Sequence, residues 1–337
     1  MEYKIVSLQD NFDSHLMGET RQATVVKHTG SHYLLAELPG WDLFPAVLRG
    51  KIRLKGSSAT NPIAVGDKVT YETEGDAANV TAENPAVITS VLPRRNYVIR
   101  RSTNLSRQSH IIAANVDRAF IVVTLDFPEV KLPFLDRLLV TCEVYGIPAT
   151  IILNKIDLYR EELAEQLAAF HSIYEGAGYP VMEVSALTGE GIDELRKMIA
   201  DAPQPYQALF SGVSGVGKSS LIKALDPSLE PRVGQISDAH LQGRHTTTFY
   251  EMYRLSSGGF IIDTPGIRGF GLVDVAREEI ALYFPEMLKA ASDCRFAPCT
   301  HTHEPGCAVK EAVENGEISY ERYTSYLGML EEEGKYR

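Results

Sequence analysis

Gly212-Val213-Ser214-Gly215-Val216-Gly217-Lys218-Ser219 fits the pattern G-x-x-x-x-G-K-[ST]. It follows an apolar run, Ala208-Leu209-Phe210, that reads as a buried strand, and it leads into a predicted helix from Ser220 to Leu225. In that setting the glycines let backbone N–H groups close around phosphate oxygens at a helix N-terminus. Gly212, Val213, Ser214, Gly215, Val216 and Gly217 form the cradle, and Ser220 carries it into the helix. Lys218 is placed to reach the β- and γ-phosphates of a nucleotide, and Ser219 to ligate Mg²⁺.

Three shorter signals stand at the ends of other predicted strands. Asp263-Thr264-Pro265-Gly266 closes the run Phe260-Ile261-Ile262. Its Asp263 suits the Mg²⁺ shell, and the Gly266 N–H suits a γ-phosphate sensor. Asn154-Lys155-Ile156-Asp157 closes the run Ala149 to Leu153. A carboxylate there can accept from N1–H and the exocyclic amine of guanine, a donor pair that adenine lacks. Ser185-Ala186-Leu187 closes the run Val181 to Val184. The alternation of runs and helical stretches predicts a strand at Ala119 to Thr124, then a helix from Leu132. Further helices are predicted from Leu158 to about Ala177 and over 191–200. This is α/β, doubly wound texture, with ligand at the carboxyl ends of the strands.

The flanks differ. Short β-like runs occur at Ala23 to Lys27, Tyr33 to Ala36, Lys68 to Tyr71 and Ala86 to Val91, separated by turn residues. They fit a small barrel, and a five-stranded barrel of the OB type, a frequent RNA binder, suits the length. From about residue 275 the pattern turns helical and carries Cys294-x4-Cys299-x-His301-x5-Cys307. Three thiolates and an imidazole make a closed, structural Zn²⁺ set, with His303 a substitute for His301. The expected division is a barrel at 1–100, an α/β domain at 101–274 and a helical zinc-binding domain at 275–337.

Net charge is −11, which argues against a general nucleic-acid binder. The charge is uneven: residues 1–110 carry 13 Lys and Arg against 11 Asp and Glu, and the rest carry 20 against 33. Bases cluster at Arg49, Lys51, Arg53 and Lys55, and again at Arg94, Arg95, Arg100, Arg101 and Arg107, a candidate phosphate-contacting surface. Cys142 sits in an apolar stretch and reads as core. No apolar run is long enough to span a membrane, and no leader pattern opens the chain. A cytosolic monomer is expected.

The four strand-end motifs together resemble the fingerprint of translation-factor-related GTPases, but in the order 154, 185, 212, 263. The guanine-reading pair precedes the phosphate loop, which is the order of circularly permuted GTPases. With the barrel before and the Cys/His set after, the chain closely resembles the bacterial small-ribosomal-subunit-dependent GTPase A family over nearly its whole length. The resemblance implies an α/β permuted P-loop GTPase domain between an OB-type barrel and a C-terminal zinc-binding domain. It implies binding of GTP and GDP, of rRNA and proteins of the small subunit, and slow hydrolysis that the subunit stimulates. Ile267 stands where many GTPases carry a water-positioning Gln. The loop Gly243-Arg244-His245-Thr246-Thr247-Thr248 offers His245 to position water, as the resemblance implies, and a threonine, taken as Thr247, for Mg²⁺. Rivals are a permuted GTPase of large-subunit assembly, a P-loop ATPase or kinase, and an RNA-binding module with a degenerate nucleotide domain. Nucleotide preference separates the second. Intact Lys218, Ser219 and Asp263 argue against the third.

Overall fold

A computed structural model of the chain describes residues 21–28, 32–48, 63–73, 80–101, 109–231, 250–264 and 275–335. Strands β1 (Arg21–His28), β2 (His32–Ala36), β3 (Phe44–Leu48), β4 (Lys68–Glu72) and β5 (Ala86–Val91) pair in the order 1-2-3-5-4. β4 returns to β1, so the five strands close a barrel of OB type. Alternation along each strand turns Val25, Leu35, Val69 and Ile88 inward, all fully buried. The expected strands at 23–27, 33–36, 68–71 and 86–91 are present. β3, with Pro45 opposite Leu34, was not expected.

A hairpin of β6 (Tyr97–Arg101) and β7 (Ser109–Ala114) follows. The expected domain boundary between residues 100 and 101 runs through it. The basic cluster is corrected at one position. Arg94 grips Asp67 with two hydrogen bonds of 2.6 Å, and the Asp67 carboxylate is fully buried. Arg95 donates to Asp117 and to the carbonyl of Asn115. Arg94 ties two segments of the barrel and is not a free phosphate ligand, whereas Arg95, 58% exposed, joins the barrel to the α/β region at its surface.

The α/β region runs β8 (Arg118–Val123), α1 (Leu132–Val144), β9 (Ala149–Leu153), α2 (Ala164–Gly176), β10 (Val181–Glu183), α3 (Ile192–Ala200), β11 (Gln207–Ser211), α4 (Lys218–Leu225), β12 (Glu251–Arg254) and β13 (Phe260–Asp263). Their sheet order is β10-β9-β8-β11-β13-β12, parallel except at β12. Every residue of β9, β11 and β13 is buried, as a parallel sheet covered on both faces requires. The chain winds outward from β8 through β9 to β10, then returns to the other side of β8 as β11. That reversal is where an α/β sheet opens a ligand crevice. The helix expected from Leu158 to Ala177 is shorter. A 3-10 turn, Ile156–Leu158, and further turn residues precede α2. The break lies at Tyr159, the C-cap of that turn, whose φ of −143° is outside the helical region.

β12 also pairs with β1, at Glu251 and Lys27, whose side chains form an ion pair of 2.6 Å. One sheet therefore continues from the α/β region into the barrel. At the other end, a 3-10 segment (Arg277–Tyr283), α5 (Pro285–Ala291), α6 (Ala308–Glu314) and α7 (Tyr320–Lys335) build a separate small core around Phe284, Met287 and Tyr326. α1 belongs to both cores: Leu135, Leu138 and Leu139 face the α/β sheet, and Val140 packs among the C-terminal helices. None of the described helices is long and apolar enough to cross a membrane.

A fully buried guanidinium locks α7 to α1. Arg322 donates to Asp136 of α1 at 2.8 Å and to both carboxylate oxygens of Glu286 at the start of α5, at 2.8 and 3.2 Å. Its Cζ lies 4.6 Å from the Phe284 ring centroid. Truncating one member leaves the others charged and unpaired in the interior, at a cost of about 3–5 kcal/mol. Arg322→Ala should therefore lower the urea midpoint strongly, and a midpoint equal to that of the parent would refute the lock.

Candidate functional site

The loop 212–219 joins β11 to α4. Gly212 (φ 153°) and Gly217 (φ 92°) adopt conformations that other residues rarely take. Both are also crowded: a Cβ on Gly212 would lie 2.3 Å from the Val122 carbonyl, and one on Gly217 2.4 Å from Asn154 Nδ2. The Lys218 ammonium lies inside the loop and donates to the carbonyls of Gly212 (2.7 Å) and Val213 (3.2 Å). Burial lowers its pKa, and the Asp263 carboxylate opposes that shift. Ser219 is half-buried on the first turn of α4, while Ser214, Gly215 and Ser220 are exposed. The helix starts at Lys218, two residues before expectation, so its first N–H groups belong to the loop.

The guanine-reading candidates converge on this loop. Asn154, 1% exposed, donates from Nδ2 to the Val216 carbonyl at 2.8 Å. Its Oδ1 accepts the Ala186 N–H at 3.1 Å. Ser185 is buried and donates its hydroxyl to Asp157 Oδ1, while accepting the Thr188 N–H at 3.1 Å. Asp157 is exposed, so its carboxylate is oriented by Ser185 and still open to a ligand. Lys155 reaches the carbonyl of Phe127. Four motifs from four strand ends thus surround one crevice.

Asp263, at the end of β13, is the acidic member. Its Oδ1 is buried and has no hydrogen-bond partner. Burial raises its pKa from 3.8 to about 6, against the pull of Lys218 and with a push from Glu251. A buried carboxylate oxygen without a donor, beside a buried ammonium, is a poor structural solution and a good cation ligand. Asp263 and Ser219 therefore fit Mg²⁺ accompanying a nucleotide. The next residue, Thr264, fixes the strand end by donating to the Phe210 carbonyl at 2.8 Å.

The second candidate centre is in the C-terminal region. The ligand atoms of Cys294, Cys299, His301 and Cys307 lie within 4.8 Å of one another. Cys294 Sγ is 3.6 Å from His301 Nδ1 and 3.9 Å from Cys307 Sγ, and His301 Nδ1 is 3.4 Å from Cys307 Sγ. A tetrahedral site with Zn–S of about 2.3 Å and Zn–N of about 2.0 Å has edges of roughly 3.5–3.8 Å, so the set fits one ion. Burial holds His301 neutral, as a ligand must be, and lifts the Cys299 thiol to about 12, helped by its neighbouring thiols. His301 sits at φ 55°, a strained conformation that the Tyr323 hydroxyl secures by donating to its carbonyl at 2.7 Å. His303 is exposed and bonded to Thr302, so it is not the alternative ligand.

His245, Thr247 and Gly266 lie outside the described residues. Two contributors had no sequence signal. Tyr159 is buried and donates its hydroxyl to the Asn154 carbonyl, bracing the guanine motif from behind. The segment after β8 supports the loop from outside, since Pro128 lies within about 3.4 Å of a Cβ placed on Gly215.

A family model described as RsgA GTPase matches residues 91–273. A protein of Bacteroides fragilis named small ribosomal subunit biogenesis GTPase RsgA is 48% identical over 93% of this chain and 98% of its own length. A protein of the same name from Porphyromonas gingivalis is 46% identical over 93% of this chain and 97% of its own. The crystal structure of YjeQ from Thermotoga maritima aligns at a TM-score of 0.72 with 34% identity, covering 93% of this chain and 98% of that one. A structure of YloQ, described as a circularly permuted GTPase, aligns at 0.70 with 26% identity, covering 96% and 98%.

Asp263 makes a pH-dependent prediction. Without metal and nucleotide, the folded state holds a proton that the unfolded chain has released between about pH 4 and pH 6. Stability therefore falls as pH rises through that window, and Asp263→Asn escapes this part of the fall. Urea midpoints in chelator from about pH 4 to pH 8 should show the variant gaining on the parent up to about pH 6. A gap that does not vary with pH would contradict the burial argument.

Proposed function

This chain belongs to the RsgA GTPase family and is a GTP-hydrolysing P-loop enzyme, and from that premise we propose that it serves small-subunit ribosome biogenesis, with hydrolysis governed by docking on the subunit. The observation that carries the site reading is the pair of hydrogen bonds at the Asn154 amide, which donates to the Val216 carbonyl of the phosphate loop and accepts the Ala186 N–H. The names of the relatives support the ribosomal role. The closed barrel supports contact with rRNA. We expect the protein to work as a cytoplasmic monomer.

In this reading Asp157 accepts from guanine N1–H and the exocyclic amine, with Ser185 holding its other oxygen. Asn154 and Ala186 brace the base site, and Lys155 flanks it. The backbone of residues 212–220 surrounds the phosphates and Lys218 neutralises them. Mg²⁺ would supply charge neutralisation at the phosphates, and Ser219, Asp263 and Thr247 would be the residues to hold it. Gly266 senses the γ-phosphate. Ile267 has no group to orient water, so His245 takes that role once a docked subunit orders its loop. Slow basal turnover and stimulation by the subunit follow from that arrangement. The cluster of Cys294, Cys299, His301 and Cys307 holds one structural Zn²⁺, with all four positions filled by protein.

Two experiments test this. GTP turnover should rise on adding purified small subunits but not large subunits. Asp157→Asn should lose about 100-fold in GTP affinity and gain xanthosine triphosphate, whose C2 oxygen accepts from an amide. Turnover indifferent to subunits would refute the partner, and unchanged GTP affinity would refute the base reader. For the metal, emission spectroscopy should find about one zinc per chain, lost in Cys299→Ser with GDP affinity retained. A zinc-free folded parent would refute the centre.

A further inference from the structure

A furrow follows the seam between α2 and the C-terminal helices. Its first stretch, about 500 Å³, lies between the 125–132 segment, α2 and Glu321 at the start of α7. A second, about 270 Å³, continues along α2 past Glu317 and Ile318. A third, about 440 Å³, runs on to α5 and α6. The stretches share walls: Ala169, Ile173 and Glu321 belong to the first two, and Gly176, Glu286 and Ile318 to the last two.

One face of α2 forms the floor of the first two stretches and reaches the third at Gly176. Leu163, Gln166, Ala169, Ile173 and Gly176 line it at intervals of three and four, the spacing of a single helical face. At 1.5 Å per residue, the 13 residues of α2 give a furrow about 20 Å long. Leu163 and Ile173 are only partly buried, so apolar surface is left open along it.

The rim is acidic. Asp126, Glu129, Glu321, Glu317, Asp293 and Glu311 all line it. The bases among the lining residues are Lys289 and Arg322, and Arg322 is fully buried against Asp136 and Glu286. Glu129 also meets Lys131, but both side chains are more than half exposed and water screens that pair. A row of carboxylates above an apolar floor repels nucleic-acid phosphates and attracts a cationic chain with one apolar side.

We propose that this furrow is a docking site for a Lys- and Arg-rich amphipathic helix of a partner protein, about 13 residues long. Its apolar side covers the α2 face and its basic side meets the rim. The first stretch includes the segment that carries Pro128 against the phosphate loop, so the occupant sits beside the support of the nucleotide site. The surface is distinct from the nucleotide crevice, and its occupancy does not depend on the assignment of GTP.

The test uses the full chain and a fluorescein-labelled peptide of Leu, Ala and Lys with apolar residues at helical spacing. A scrambled peptide of the same composition and a single-stranded RNA oligomer serve as competitors. The patterned peptide should bind at least about tenfold more tightly than the scramble, with affinity falling as salt rises. Ala169→Trp, which fills the floor, and Glu129→Lys with Glu317→Lys, which reverse the rim, should each weaken binding about tenfold. Glu194→Lys with Glu331→Lys, an equal charge change elsewhere, should alter it less than about twofold. Basal GTP hydrolysis should be the same in all of them. Equal binding of the scramble, an equal loss in the remote variant, or displacement of the peptide by RNA would overturn the proposal.

Discussion

A single side-chain amide ties the nucleotide site together. Asn154 donates to the Val216 carbonyl inside the phosphate loop and accepts from the Ala186 N–H, while its own N–H and carbonyl are taken by Val123 and Tyr159. The bonds to Val216 and from Tyr159 are buried and the one from Ala186 partly so, and a lost partner at a buried bond leaves an uncompensated polar group at about 1–3 kcal/mol. A phosphate loop turns its N–H groups toward an anion and therefore needs bracing from outside the loop itself. Here the brace comes from 62 residues earlier in the chain. Circular permutation is tolerated for this reason: parallel strands bring their carboxyl ends to one edge, and side chains across that edge make the connections whatever the chain order.

Charge pairs do the corresponding work between the parts of the molecule. Lys27 of the barrel holds Glu251, and Glu251 stands opposite Asp263 in the sheet and adds to the burial that raises its pKa. A disturbance of the barrel is thereby two residues from the Mg²⁺ candidate. On the other side Arg322 fixes α7 to α1 through Asp136, and α1 itself begins just after the segment that touches the phosphate loop. Buried ion groups of this kind add little net stability over apolar packing, but they penalise any other relative placement of the helices. The crevice is thus linked mechanically to the barrel and to the C-terminal unit.

What the sequence disclosed follows from how local each signal is. The phosphate loop, the strand-end motifs and the Cys/His set are short patterns whose chemistry needs neighbours in sequence, and each lies where the apolar runs placed it. β3 was hidden by Pro45, and β12 is only four residues long. The hairpin of β6 and β7 had the composition of a basic surface. Arg94 looked like an exposed base because its carboxylate, Asp67, is distant in sequence. Asp136 and Arg322 are 186 positions apart, so only folding shows that two ordinary surface-type residues form a buried pair. Tyr159 was read as part of a helix, but its own backbone, at φ −143°, interrupts the run before α2.

The central claim, that one amide joins the base motif to the phosphate loop, is tested most directly by hydrogen exchange. Amide exchange should be measured by mass spectrometry in the parent and in Asn154→Ala, both without nucleotide. The account predicts faster exchange in two remote stretches, 184–190 and 212–219, with the barrel and α7 unchanged. Faster exchange confined to the residues around 154 would contradict it.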